Sequence, residues 1–255
     1  MRQVVGHEPG PEVPLTNEVV DMDAPMALLR PMVWVVSDQT LVAESVQAGL
    51  ASRGFPARVV TLDVSAAVLP PAPRSPEGAS QAEAPVVLLL EDLATPVELG
   101  RAQTLIRGSP GRWIVLTSVP PGALWGALLA SGADVVTSSG TSLDDLEQLL
   151  DDLARGGGGM DPRLRADVLD RWERVSEEQE RLLVRMRSLT PRERTVLRLL
   201  YAGDTVRSIA VLLDVSEATV RSQVKAVLRK LDVNSQLAAI AAFRRLQEGA
   251  KSTST

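Results

Sequence analysis

The sequence has no cysteine and a single histidine, His7. Disulfides and thiolate chemistry are therefore excluded, and histidine-dependent metal sites and Ser-His-Asp catalysis lack their parts. Lysine is equally scarce: Lys225, Lys230 and Lys251 are the only three, so residues 1–224 contain none. No apolar run comes near the length of a membrane span; Val86–Leu90 is typical. The first thirty residues carry acids and prolines without an apolar stretch, which predicts no secretory signal and a cytoplasmic location. Nothing in this inventory points to an enzyme, a resident metal or a cofactor.

What is present fits a soluble protein of one or two domains: 255 residues, 45% hydrophobic and 23% charged. The net charge of −5 hides an asymmetry. Residues 188–255 hold 11 Lys+Arg against 6 Asp+Glu, a net +5, leaving residues 1–187 at −10. Only the rear of the chain is suited to meet a polyanion.

Residues 1–29 lack periodicity and predict a flexible tail. "MVWVVS" (32–37) predicts a buried strand, and residues 38–54 an amphipathic helix closed by Gly54. "ARVVTLD" (57–63) predicts a second strand, and the Pro/Ala-rich stretch 69–85 an exposed loop. "VVLLL" (86–90), "RWIVLTS" (112–118) and "ADVVTS" (133–138) predict three more strands, each followed by a helix. Five strands alternating with helices imply a doubly wound parallel sheet over 30–156, with any chemistry at the carboxyl ends of its strands.

Residues 157–187 are expected to form a linker and connecting helix. Asp161 caps that helix and Pro162 opens it. Leu164, Val168, Trp172, Val175, Gln179, Leu182 and Met186 recur at close to heptad spacing. Two readings stay open: a helix packed on its own domain, or a dimerising coiled coil.

Residues 188–248 predict an all-α domain, followed by a tail at 249–255. Thr190-Pro-Arg-Glu193 is a capping box. A short helix, a turn at Asp214–Val215 and a longer helix capped by Ser216 then read as a helix-turn-helix, whose second helix can enter the DNA major groove. Val220, Val224, Val227, Leu228 and Leu231 mark its inner face, whereas Arg221, Lys225 and Arg229 form an outer stripe with Ser222 beside it. Arg and Lys can donate to guanine, and Ser can donate or accept.

"LTPRERTVLRLL", Gly203, "IA" at 209–210, "SEATV" at 216–220 and "LRKLDVNS" at 228–235 together resemble the LuxR/GerE-type helix-turn-helix. The resemblance implies that Arg221, Ser222 and Lys225 touch bases, and that Thr219, Gln223, Lys230 and Ser235 lie near phosphates. It also implies dimerisation through the last helix, 235–246. Gln223 stands where histidine is common in that family, Asp232 where glycine is, and Gln236 where a basic residue is frequent.

The strand-helix alternation ahead of this domain resembles the flavodoxin-like receiver of NarL/FixJ-type response regulators. A working receiver pairs an acceptor aspartate with two Mg²⁺-binding acids, a Thr or Ser hydroxyl and a lysine. By that resemblance, Ser37 and Asp38 occupy the acidic pair, Thr117 the switch hydroxyl and Ser139 the lysine position. "DLATP" aligns Asp92 with the acceptor, but counting from Pro85 places Glu91 there. Half the acid pair and the lysine are missing, which implies a degenerate site not switched by phosphorylation. The expected molecule is thus a regulator that binds double-stranded promoter DNA, as a homodimer or paired with another response regulator. The alternative is a true phospho-aspartate switch.

Overall fold

The computed structural model describes residues 30–60 and 85–252, with side chains through residue 247. The expected front tail (1–29), residues 253–255 of the expected rear tail, the end of the second strand and nearly all of the 69–85 loop lie outside these residues; residues 249–252, expected in that rear tail, continue the last helix. Among them no helix is long and apolar enough to cross a membrane.

Five parallel strands form one sheet: β1 (Val33–Ser37), β2 (Ala57–Val60), β3 (Val86–Leu90), β4 (Arg112–Thr117) and β5 (Val135–Ser138). Their order is β2-β1-β3-β4-β5, the flavodoxin-like doubly wound arrangement. Successive side chains of a strand point to opposite faces. Val33, Val35, Val86, Leu88 and Ile114 accordingly pack with Leu50 of α1 (Thr40–Ser52) and Leu146, Leu150 and Leu153 of α4 (Leu143–Ala154). Trp34, Val36, Val87, Leu89 and Trp113 enter the opposite core, with Leu105 of α2 (Pro96–Gly108) and Leu128 of α3 (Ala123–Ala130). Burial on both faces explains why these strands read as unbroken apolar runs rather than alternating ones.

Local signals place the helices. Thr95 and Glu98 close a capping box on α2, with Pro96 at its first turn. Helix α1 is shorter than the predicted 38–54, because Asp38 and Gln39 are used to turn out of β1.

Helix α5 (Pro162–Arg187) divides into two parts. Val168 is fully buried in the α2–α3 core, Leu164 and Leu169 pack against it, and Arg165 donates to the Asp134 carbonyl at 2.7 Å. From Glu173 to Arg181 every residue is exposed, Val175 and Gln179 of the heptad-like seam included. The near part of the helix thus follows the own-domain reading, the middle stretch from 173 to 181 packs on neither domain, and the far end meets the rear domain through Arg185 and Met186.

The rear domain comprises α6 (Pro191–Tyr201), α7 (Val206–Leu212), α8 (Glu217–Leu231) and α9 (Gln236–Ser252). Val196, Ile209, Val220 and Val224 form one cluster of its core, and Leu189, Leu197, Val227 and Leu231 another. The capping box at Thr190 and Glu193 forms as predicted, and Ser216 caps α8 by accepting from the Thr219 amide.

Helix α3 can approach α5 only because residue 126 is glycine. A Cβ there would lie 2.1 Å from the Val168 carbonyl oxygen and 2.6 Å from the Trp172 Cβ. Gly126→Ala should therefore destabilise the front domain by about 2 kcal/mol, since backbone must move to admit the methyl group. That loss should exceed the roughly 1 kcal/mol gained in helix propensity. A lowered urea midpoint is the expected result; a raised one would show that the two helices separate freely.

Candidate nucleic-acid interface and strand-end site

Helix α8 sorts its side chains as an amphipathic helix must. Val220, Val224, Val227 and Leu231 are buried, whereas Thr219, Arg221, Ser222, Lys225 and Arg229 are exposed along the outer side. Arg221 pairs with Glu217 one turn back at 2.7 Å, and both are open to solvent. Such a pair is worth only a few tenths of a kcal/mol, roughly, so the guanidinium can exchange it for a stronger acceptor. The Thr219 hydroxyl lies 2.8 Å from that of Ser216.

Three other sequence-predicted residues stand apart from this face. Gln223 is half-buried, and its Oε1 has no partner among the described residues. Ser235 Oγ accepts from the Ala238 amide at 3.1 Å and so caps α9. Lys230 Nζ donates to Glu193 Oε2 at 2.7 Å and to the Ser188 carbonyl at 3.2 Å, leaving one N–H outward. Burial pushes the Glu193 carboxyl upward, but hydrogen bonds from Lys230 and Thr190 outweigh it and hold its pKa below the ordinary carboxylate value. Lys230 therefore ties α8 to the start of α6.

Sequence inspection missed a further tie. Arg185 of α5 donates to Asp232 Oδ2 at 2.9 Å and to the Leu231 carbonyl at 3.3 Å. Asp232 ends α8 in a left-handed conformation, φ 58°. Glycine fits that backbone without strain and aspartate tolerates it. The carboxylate adds a contact to the connecting helix that glycine could not make. The departure from the family pattern was visible in the sequence; its partner, 47 residues away, was not.

At the other end of the molecule, strand parity separates the receiver-like residues. Ser37, Asp92 and Ser139 fall on the α1–α4 side and border a cleft there. Glu91 points to the α2 side, where Arg101 pairs with it and its side chain is 2% exposed. Thr117 shares that side: its hydroxyl donates to the Asp92 carbonyl at 3.0 Å and accepts from the Val119 amide at 3.3 Å. Ser37 Oγ accepts from the Gln39 amide at 3.1 Å, and Asp38 is exposed. Both residues border the cleft, but Asp92 is exposed there, whereas the Glu91 carboxylate is enclosed beside Arg101.

These residues do not fit a Mg²⁺-dependent phosphoryl site. The cation would need several convergent carboxylate oxygens. Ser37 replaces one acid and Glu91 is committed to Arg101. Among the described residues no group of three His, Cys, Asp or Glu side chains is placed to hold a metal.

Arg101, a cation on α2, was the residue sequence reasoning overlooked. Burial pushes the Glu91 carboxyl above its ordinary value of 4.5, further helped by Asp38 and Glu98, although Arg101's charge and hydrogen bond act in the opposite direction. An acid with a raised folded-state pKa contributes most below its unfolded value and loses that contribution as pH rises through the folded one. Glu91→Gln should therefore gain stability relative to the native chain as pH rises from 4 to 7, read as the difference in melting temperature. A gap that instead widens as pH falls would mean that the Arg101 pair dominates.

Comparison with known proteins follows this division. Residues 187–243 match the family model "Bacterial regulatory proteins, luxR family". A curated relative, the nitrate/nitrite response regulator protein homolog of Haemophilus influenzae, is 33% identical over 116 residues. That match covers 46% of this chain, which spans about half (52%) of the relative's length. Among solved structures, full-length FixJ from B. japonicum is 19% identical, covering 87% of this chain and 98% of its own, with a TM-score of 0.35. RcsB from Salmonella enterica serovar Typhimurium, bound to promoter rprA with the phosphomimetic BeF3-, is 19% identical, covering 84% and 99%, with a TM-score of 0.37. Whole-chain likeness this low bears on neither mechanism nor domain arrangement. The family match coincides with the capped helices α6 to α8 and the first part of α9: the rear of this chain is a helix-turn-helix domain of the luxR family of bacterial regulatory proteins.

Proposed function

We propose that the chain is a sequence-specific transcription regulator that binds double-stranded DNA as a dimer, and that its receiver-like domain is not switched by phosphorylation. The observation that carries the DNA reading is the outer face of α8, where Thr219, Arg221, Ser222 and Lys225 stand exposed on a capped second helix. The luxR-family match supports it. Gln223, Lys230 and Ser235 lie near phosphates in this reading, Lys230 while also bonded to Glu193 and the Ser188 carbonyl.

The unswitched receiver is supported by the enclosed Glu91, the engaged Thr117 hydroxyl and the serine at 139. A second reading keeps Asp92 as a phosphoryl acceptor, favoured by its exposure at the cleft and by the response-regulator name of the curated relative. It lacks any cation to neutralise the transferring group, and charge neutralisation is most of the catalysis in phosphoryl transfer. Dimerisation has two faces to draw on: the partnerless middle of α5 and the exposed Leu237 on α9. Pairing with another response regulator would use the same surfaces.

Arg221→Ala should weaken binding to a genomically selected operator by about 1–3 kcal/mol, with nonspecific binding much less affected. Titrations at one fixed salt concentration measure both. Unchanged operator affinity would remove the recognition role of Arg221.

A further inference from the structure

A cleft of roughly 320 Å³ opens between α1 and α4 at the carboxyl edge of the sheet. It straddles the ends of β1 and β3, where the strand order reverses. Open parallel sheets take ligands at this point, because the helices of adjacent strands leave on opposite faces and a crevice remains. One part of its lining is aliphatic, with Val42 and Val46 from α1, Leu116 from β4 and Leu143 and Leu146 from α4, and the rest is polar, Ser37, Ser45, Ser139 and Thr141 among it. Val42 is 40% exposed, so apolar surface in the lining is left in water. A bound apolar body would remove some of it.

The charge of the cleft is one-sided. No Lys, Arg or His lines it, and two acids do: Glu91, whose carboxylate is held by Arg101, and Asp92. Asp92 stands at the rim, exposed; its backbone carbonyl accepts from Thr117, and its carboxylate has no hydrogen-bond or ion-pair partner among the described residues. Arg101, the nearby cation, is turned to the other side of the sheet and held by Glu91. An anion entering the cleft would meet repulsion without compensation, and a small hydrated cation would gain nothing from the aliphatic part of the lining. A molecule carrying a cationic head on an apolar body satisfies both halves.

We propose that this cleft binds an organic ammonium ligand, its aliphatic or aromatic body lying between Val42, Val46 and Leu146 and its charged nitrogen at Asp92. This rests on the reading of the domain as unphosphorylated, and it gives that domain an input of a different chemistry.

The test uses the full chain and three probes of one shape: phenylbutylamine, phenylbutanol and phenylbutyrate. Each is titrated while the backbone amides of Asp92, Ser139 and Leu146 are followed by NMR. The amine should bind at least about tenfold more tightly than the carboxylate, with the alcohol between them. Asp92→Asn should cost the amine about fivefold and leave the alcohol unchanged. Ser139→Lys, also at an exposed position, should abolish the amine's preference. Absence of saturable binding, equal affinities for amine and carboxylate, or an amine preference that survives Asp92→Asn would overturn the proposal. Intact mass after incubation with acetyl phosphate and Mg²⁺ separates the two layers. A phospho-adduct on Asp92 would refute the unphosphorylated reading, whereas failure of the titrations with an unmodified mass would refute the ligand alone.

Discussion

Burial of β3 on both faces is the constraint on which the front domain depends. Because Leu88 and Leu89 must enter opposite cores, the residues beyond the strand inherit their directions. Glu91 is carried toward α2, where a lone carboxylate could not be tolerated without a counter-charge, and Arg101 supplies one. Asp92 is carried to the cleft. The same parity takes Thr117 away from Ser139 and leaves its hydroxyl bonded to backbone. Asp92 and Ser139 therefore border the cleft, whereas the Glu91 carboxylate and the Thr117 hydroxyl are engaged on the other face of the sheet.

The rear domain rests on a different set of contacts, which act by orientation. Glu193 and Lys230 join the first helix to the recognition helix, and Arg185 joins the connecting helix to its far end at Asp232. Helix α5 is in turn seated on α3 at Gly126, so one continuous helix touches both domains. Helix α5 thus meets α3 near its start and α8 at its far end. The exposed stretch from Glu173 to Arg181 lies between these two contacts.

Much of this architecture was legible in the sequence because it is set by local rules. Unbroken apolar runs located the strands, and Thr190 with Glu193 announced the start of α6 before any tertiary contact was known. The outward stripe of α8 followed from helical spacing alone. What could not be read depended on partners distant in sequence. A one-residue choice between Glu91 and Asp92 needs the strand register and the burial of its end. The duty of Lys230 needs Glu193, which lies 37 residues away, and a basic side chain on a helix looks the same whether it faces a phosphate or a carboxylate. The heptad-like seam of α5 concealed a change of role: Val168 belongs to the front core, whereas Val175 does not touch it.

The proposed function requires that DNA binding by α8 be independent of phosphoryl transfer to the strand-end site. Operator affinity of the full chain, measured with and without acetyl phosphate plus Mg²⁺, tests it most directly. The two isotherms should superimpose. A change within the range of ordinary allosteric coupling, about five- to 150-fold, would contradict the account and restore Asp92 as a switch.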